Sequence, residues 1–230
     1  MNKYIIHVPH KSGSVINGKI LRFIYNTKLT DGTIYDITNK AGLAQVVLSR
    51  YFPESASIED HIVMIPRNPV SALISRFYSF GYTHTSPKHK TSQEHEEAQE
   101  QIRQAGIEQY ITDNISRQSQ LVRDILHSPH QYKCIIPYEV MISNFQSYLS
   151  HLLDFLDMSD SFQRVYDRWS GEFVAIKDRT SEIEAGSMKP HKRTTDIDEW
   201  KKKLDEDFLV SLLKEYPFIS EYDKYLKEWL

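Results

Sequence analysis

Three short apolar runs most constrain what this chain can fold into: YIIHV at 4–8, HIVMIP at 61–66 and YKCIIPY at 132–138. An apolar run of this length is typical of a strand that is buried on both faces of a sheet. Stretches with helical periodicity follow these runs, so strands and helices alternate along the chain. The sequence therefore predicts an α/β fold with a parallel β-sheet flanked by helices on both faces, as a single domain over 1–230.

Hydrophobic periodicity and turn residues predict the remaining elements. The predicted helices cover 14–26, 39–52, 68–80, 94–127, 140–157, 198–216 and 220–229, and a further short strand covers 32–38. The polar segment 81–100 is the most loop-like, and 170–200 is predicted to be irregular.

Composition excludes several classes of protein. The formal net charge is −3, which argues against a general nucleic-acid-binding protein. No apolar run approaches the roughly 18 residues of a membrane span. The single cysteine, Cys134, excludes a disulfide framework and a cysteine-based zinc site. We therefore expect a cytoplasmic protein without a nucleic-acid or membrane partner.

Polar side chains follow the apolar strands, where ligands bind in open parallel sheets. They are His10-Lys11-Ser12-Gly13, Asp36, Arg67-Asn68 and Tyr138-Glu139. The functional site is expected at this edge of the sheet.

The first strand leads through the small-residue turn Lys11-Ser12-Gly13-Ser14 into a helix, which is how backbone N–H groups are presented to an anion. Gly13 to Lys19 also matches the G-x-x-x-x-G-K pattern of a nucleotide P-loop. However, Ile20 replaces the Ser or Thr that would hold Mg²⁺, and Arg67 ends the strand where a metal-binding Asp would be expected. These two departures argue against a kinase or NTPase, which is therefore a weaker interpretation than the one that follows.

The stretch Pro9-His10-Lys11-Ser12-Gly13-Ser14 resembles the 5′-phosphosulfate loop of sulfotransferases that use 3′-phosphoadenosine 5′-phosphosulfate (PAPS), with one inserted residue. A stronger match follows the strand at 61–66. Arg67-Asn68-Pro69 with Ser75 resembles the 3′-phosphate motif of the same family, in its order and spacing. A guanidinium fork and a hydroxyl are a suitable pair for gripping a dianionic phosphate.

Two more stretches resemble this family. IIPYEVM at 135–141 is similar to its Tyr-Glu-Asp-Met strand end, which would place Tyr138 near the adenine. HKRTTDIDEW at 191–200 partly matches the loop that covers the 3′-phosphate, with Arg193 seven residues before Trp200.

The resemblance implies a PAPS-dependent sulfotransferase that needs no metal and yields 3′-phosphoadenosine 5′-phosphate (PAP). It implies transfer to a hydroxyl or amine of a small-molecule or glycan acceptor that the sequence does not identify. Lys11 would stabilise charge on the leaving oxygen. The residues implied to bind PAPS are Lys11, Ser12, Gly13, Ser14, Arg67, Ser75, Tyr138 and Arg193.

The general base and the catalytic status stay open at the level of sequence. Asp36 lies where glycan-type members of the family carry a catalytic Glu, and His10 and Tyr51 are its rivals. A module that binds PAP without catalysis is the other alternative, although retention of Lys11 argues for transfer.

Overall fold

The computed structural model describes residues 2–25, 34–38, 44–50, 56–83, 91–177 and 196–230. Its strands are β1 (Asn2–His7), β2 (Ile34–Thr38), β3 (Ala44–Ser49), β4 (His61–Met64) and β5 (Lys133–Ile135). Its helices are α1 (Ser14–Tyr25), α2 (Pro69–Tyr78), α3 (Ser92–Leu126), α4 (Tyr138–Ser143), α5 (Phe145–Phe155), α6 (Phe162–Lys177), α7 (Glu206–Glu215) and α8 (Phe218–Lys227). A π-helical turn spans Ser79–Thr83, and 3₁₀ turns span Ser159–Ser161 and Glu199–Lys203.

The sheet has the strand order β2-β3-β1-β4-β5, and β3, β1, β4 and β5 run parallel. Strand β1 is central, and its Ile5 and Ile6 are fully buried. His7, at the end of β1, lies opposite Ser49 on one side and Met64 on the other. The prediction of an α/β fold with a parallel sheet flanked by helices is confirmed.

The helix predicted over 39–52 is wrong, because Ala44–Ser49 forms strand β3. Val46, Val47 and Leu48 are all buried, which a single helix face would not allow for three consecutive residues. Strand β3 lies between β2 and β1 in the sheet, and its apolar side chains are buried on both faces. Tertiary pairing thus overrides the local helical pattern.

Strand β2 is a second departure from expectation, because it pairs antiparallel with β3 at the sheet edge. Its first residue, Ile34, lies opposite Ser49, and its last, Thr38, lies opposite Gln45. The carboxyl end of β2 therefore lies at the opposite edge from the ends of the parallel strands. Asp36 pairs with Val47 inside the sheet, so its expected place at the carboxyl-end edge is wrong.

Several helix boundaries also differ from the predictions. Tyr138 begins α4 rather than ending β5, and Asn144 separates α4 from α5. The Asn144 side chain caps α5 by accepting from the Ser147 N–H at 3.1 Å. Helix α6 extends to Lys177 into the segment predicted to be irregular. Helix α3 contains a kink at Gly106, where φ is 78°.

The chain divides into two compact units. The first comprises Met1–Arg67, Arg123–Val174 and Leu226–Leu230, and it contains the sheet. The second comprises Asn68–Val122 and Ala175–Tyr225. The buried cluster of the second unit contains Val70, Leu73, Ile74, Ile111, Ile115, Trp200, Leu212 and Ile219. The expectation of a single domain over 1–230 stays a prediction.

None of the described helices is both long and apolar enough to cross a lipid bilayer. Cys134 on β5 is half-buried, and burial raises the pKa of its thiol to about 11. A thiol with this pKa is almost entirely protonated near neutral pH, so it is a poor nucleophile.

Asp157 ends α5 in an unusual conformation. Its φ is +56°, in the left-handed region that glycine favours, and the N–H of Met158 donates to the Leu153 carbonyl at 2.8 Å as in a Schellman motif. The Tyr4 hydroxyl donates to Asp157 Oδ2 at 2.6 Å. This hydrogen bond offsets the strain of a non-glycine residue with positive φ.

We expect Asp157→Ala to lower the free energy of unfolding by about 2 kcal/mol, because a hydrogen bond to a charged group is lost. Asp157→Gly should lose about 1 kcal/mol less, because glycine has no left-handed penalty. Urea unfolding measures both, and Tyr4→Phe removes the same hydrogen bond from the other side. A glycine variant no more stable than the alanine variant would contradict this account.

Candidate active site

The loop between β1 and α1 has a tightly defined backbone. The Ser12 N–H donates to the Pro9 carbonyl at 3.1 Å and closes a turn. Lys11 has φ 69° and Gly13 has φ 87°, so two residues of this loop adopt the left-handed conformation. For lysine this conformation is unfavourable by roughly 1–2 kcal/mol, so surrounding contacts must hold it.

Two hydrogen bonds from outside the turn hold its carbonyls. Arg67 Nη1 donates to the Lys11 carbonyl at 2.7 Å, and Asn17 Nδ2 donates to the Gly13 carbonyl at 3.1 Å. With both carbonyls bonded in this way, the loop backbone is fixed at the start of α1.

Gly13 is favoured by its backbone conformation, and the space beside it is occupied by other side chains. A Cβ at this position would lie 2.6 Å from Met141 Cε and 3.2 Å from the Tyr138 ring. Met141 and Tyr138 therefore pack directly against the loop, and a side chain at residue 13 would require the Met141 methyl group to shift.

A buried polar pair supports the loop from below, and it was not predicted from the sequence. The Tyr148 hydroxyl donates to Asn17 Oδ1 at 2.5 Å, and both residues are fully buried. Burial also raises the pKa of Tyr148, which keeps the hydroxyl protonated as the donor. An Asn among the apolar positions of α1 was the available sign in the sequence, but its partner lies 131 residues away.

The loop retains polar groups that can bind a ligand. Ser12 is 1% exposed, and its hydroxyl has no hydrogen-bond partner among the residues that the structure describes. The same holds for Arg67 Nε within that part of the chain. The first N–H groups of α1 have no intrahelical acceptor, and the helix dipole favours negative charge there. These donors together are suited to an anion such as a phosphate.

Tyr138 and Arg67 stack on one another beside this loop. Arg67 Cζ lies 4.6 Å from the centroid of the Tyr138 ring, and the Tyr138 N–H donates to the Pro66 carbonyl at 2.8 Å. Tyr138 is only 3% exposed. The ring thus forms a buried support for the Arg67 guanidinium, and its expected contact with adenine stays a prediction.

The loop geometry also bears on the P-loop alternative. Helix α1 begins at Ser14, so Gly18 and Lys19 lie within the helix rather than in the anion loop. Lys19 is exposed, and its Nζ lies 5.6 Å from the centroid of the Trp169 ring. The Walker-type lysine of that alternative would therefore be in the wrong place. Among the described residues, no group of three or more His, Cys, Asp or Glu side chains could hold a metal ion.

The other predicted site residues are distributed as follows. His10 and Lys11 are half-buried in the loop, as is Ser14 at the start of α1. Ser12 uses its N–H within the turn, and its buried hydroxyl has no hydrogen-bond partner among the described residues. Ser75 is half-buried on α2, in the second unit.

The side chains of three predicted residues lie outside the part of the chain that the structure describes. Arg193 and Tyr51 lie outside the described residues. Asp36 is placed by its backbone on β2, with its Cα opposite that of Val47. Their roles stay predictions.

Comparisons with known proteins agree with this geometry. The family model described as a sulfotransferase domain matches residues 48–216, which is more than half of the chain. This match begins in β3, so it does not include the loop at 11–14. No curated protein matches the chain.

Four solved chains match this structure. One is mouse sulfotransferase SULT7A1 complexed with PAP, at 15% identity and a TM-score of 0.57. The match covers 99% of this chain and 89% of that chain, and at this identity it shows a shared fold. The sulfotransferase-domain match over 48–216, together with this fold, shows that the chain belongs to the sulfotransferase family.

Proposed function

We propose that this protein is a PAPS-dependent sulfotransferase that transfers the sulfuryl group of PAPS to a hydroxyl or amine of an acceptor. The observation that carries the proposal is the loop from Lys11 to Ser14, where a buried Ser12 hydroxyl without a partner in the described chain lies next to a helix N-terminus. The PAP complex of the mouse sulfotransferase supports the same class of ligand.

The loop residues have distinct roles in this proposal. The Ser12 hydroxyl and the N–H groups of Gly13 and Ser14 bind the 5′-phosphate. PAPS supplies an activated sulfuryl group, whose bond to the bridging oxygen breaks as a bond to the acceptor oxygen or nitrogen forms. Lys11 stabilises the negative charge that develops on the bridging oxygen, which then leaves as part of PAP.

Arg67, Ser75 and Arg193 bind the 3′-phosphate in this proposal. Arg67 already donates through Nη1 to the Lys11 carbonyl, and its buried Nε remains available for a phosphate oxygen. Stacking on Tyr138 keeps the guanidinium plane fixed, so little conformational entropy is lost when the phosphate binds.

We expect PAP to stabilise the protein by about 2.7 kcal/mol at a hundredfold excess over its Kd, without any need for Mg²⁺. AMP lacks the 3′-phosphate and should stabilise much less at equal concentration. Thermal unfolding with PAP, AMP, ATP and ATP with Mg²⁺ measures this difference. Equal stabilisation by PAP and AMP would contradict the 3′-phosphate site, and a preference for ATP with Mg²⁺ would favour the kinase alternative.

Arg67→Ala should weaken PAP binding by about 2–4 kcal/mol, because it removes charge-assisted hydrogen bonds to a phosphate. The loss for AMP should be smaller. If Arg67 only braces the loop, PAP and AMP would lose affinity equally, so calorimetric titration with both ligands separates the two roles. Ser75→Ala should weaken PAP binding by about 1 kcal/mol.

Lys11→Met should lower kcat for PAPS turnover about a hundredfold or more, a loss of ~3 kcal/mol, because it removes the cation and keeps the stem. PAP affinity should fall less, because the N–H groups and the Ser12 hydroxyl still hold the 5′-phosphate. The slow hydrolysis of PAPS to PAP provides an assay without an acceptor. Lys19→Met is the matched control on α1, and its kcat should equal that of the wild type.

A loss of turnover in Lys19→Met with normal turnover in Lys11→Met would reverse the assignment of the loop. Unchanged, measurable turnover in both variants would contradict the role of Lys11. A wild-type protein that binds PAP but never turns over PAPS, with any acceptor or water, would instead fit the non-catalytic alternative.

The general base is proposed to be Asp36, with His10 as its rival. The conservative variants Asp36→Asn and His10→Gln should differ, because loss of a general base lowers kcat by about 10²–10⁴-fold. The measurement is acceptor-dependent release of PAP from PAPS, as a function of pH. Replacing the base should also remove the acidic limb of the pH–rate profile. Retention of more than about a tenth of the activity excludes the residue tested as the base.

A further inference from the structure

Asn68 makes two kinds of hydrogen bond at the start of α2. Its Oδ1 accepts from the N–H groups of Val70 and Ser71, at 3.0 and 3.1 Å, and so caps the helix. Its Nδ2 donates to Asp223 Oδ1 at 3.0 Å. Because the cap requires the oxygen to face the helix, the amide nitrogen must face Asp223.

Asp223 connects this cap to a second segment. Its Oδ2 lies 3.5 Å from Lys201 Nζ, and Lys201 also contacts Asp198 at 2.5 Å. Lys201 belongs to the 3₁₀ turn Glu199–Lys203, whose Trp200 is 3% exposed within the core of the same unit. Asp223 on α8 therefore joins the residue that follows Arg67 to the segment that follows Arg193.

The charge of Asp223 is largely removed from water, since its side chain is 24% exposed. Burial raises the pKa of the carboxyl, and Asp198 acts in the same direction. Lys201 and the hydrogen bond from Asn68 oppose the shift. A half-buried carboxylate of this kind is stabilised by partners that are fixed around it.

We infer that Asp223 is a positioning residue for the nucleotide site: its carboxylate fixes the Asn68 cap and Lys201, and so orders the start of α2 directly after Arg67. This inference rests on the proposed function, because Arg67 is proposed to bind the 3′-phosphate. It explains why residue 68 is Asn in this chain. An aspartate side chain there would place two carboxylate oxygens about 3 Å apart, which is strongly unfavourable.

A double-mutant cycle on the full chain tests the contact. Asn68→Asp alone should lower the urea midpoint, because two carboxylates then face each other. Combining it with Asp223→Asn should recover much of that loss, because the new amide can donate to the carboxylate introduced at position 68. Rescue of one variant by the other supports the inference, and strictly additive losses would overturn it.

The functional readout is the ratio of the Kd values for AMP and PAP, measured calorimetrically at a temperature where every variant is folded. We expect Asn68→Asp to lower Kd(AMP)/Kd(PAP) at least fivefold, which means a weaker preference for PAP. The double variant should restore most of this ratio. Two controls should leave the ratio unchanged: Asp196→Asn removes a neighbouring carboxylate that pairs with Lys202 at 2.6 Å, and Leu212→Ala destabilises the core.

The pH dependence of stability gives a third readout. Because the pKa of Asp223 is raised on folding, the folded state binds this proton more tightly than the unfolded chain. Relative to Asp223→Asn, the wild type should therefore lose stability as pH rises from about 4 through the raised pKa.

The outcomes separate this inference from the proposed function. In one outcome, the wild type prefers PAP over AMP and the double variant regains stability, but no variant changes the ratio of the AMP and PAP Kd values. The positioning role is then overturned, and the proposed function stands. If the wild type shows no preference for PAP over AMP, the proposed 3′-phosphate site falls, and the positioning role falls with it.

Discussion

Left-handed backbone at Lys11 and Gly13 is the constraint on which the rest of the site depends. Glycine adopts this conformation readily, but at Lys11 it persists only when surrounding contacts over-determine it. Here Arg67 holds one carbonyl, Asn17 holds the next, and Met141 occupies the space that a side chain at Gly13 would need. In the proposed function, the donors at the start of α1 can bind a phosphate because these contacts hold the loop in place.

The supporting contacts come from distant parts of the first unit. Met141 lies on α4 and Tyr148 on α5, while Arg67 follows β4. Satisfied buried polar groups such as the Asn17–Tyr148 pair favour one arrangement of the core over others. The anion loop is therefore a product of the packed unit, and a short peptide with the same sequence would not retain it.

The elements that could be predicted from the sequence are those that a local residue pattern encodes. The step from β1 through the turn to α1 was predicted because strand formers, small residues and a helical period follow in order. Strand β3 was missed because its identity depends on pairing with β1, which no local pattern records. Asp36 was expected at the carboxyl-end edge of the sheet, but it lies in the middle of β2. The direction of this edge strand depends on the topology of the sheet, which the local sequence does not encode.

The bond between Arg67 and the Lys11 carbonyl has a consequence for how the two ends of a nucleotide would act together. In the proposed function, one guanidinium touches the remote phosphate and also braces the backbone of the catalytic lysine. Binding energy from a group that takes no part in the reaction can then be used to order the reacting centre. A sulfate donor that lacks the remote phosphate would lose turnover as well as affinity, so the enzyme would discriminate between donors at the chemical step.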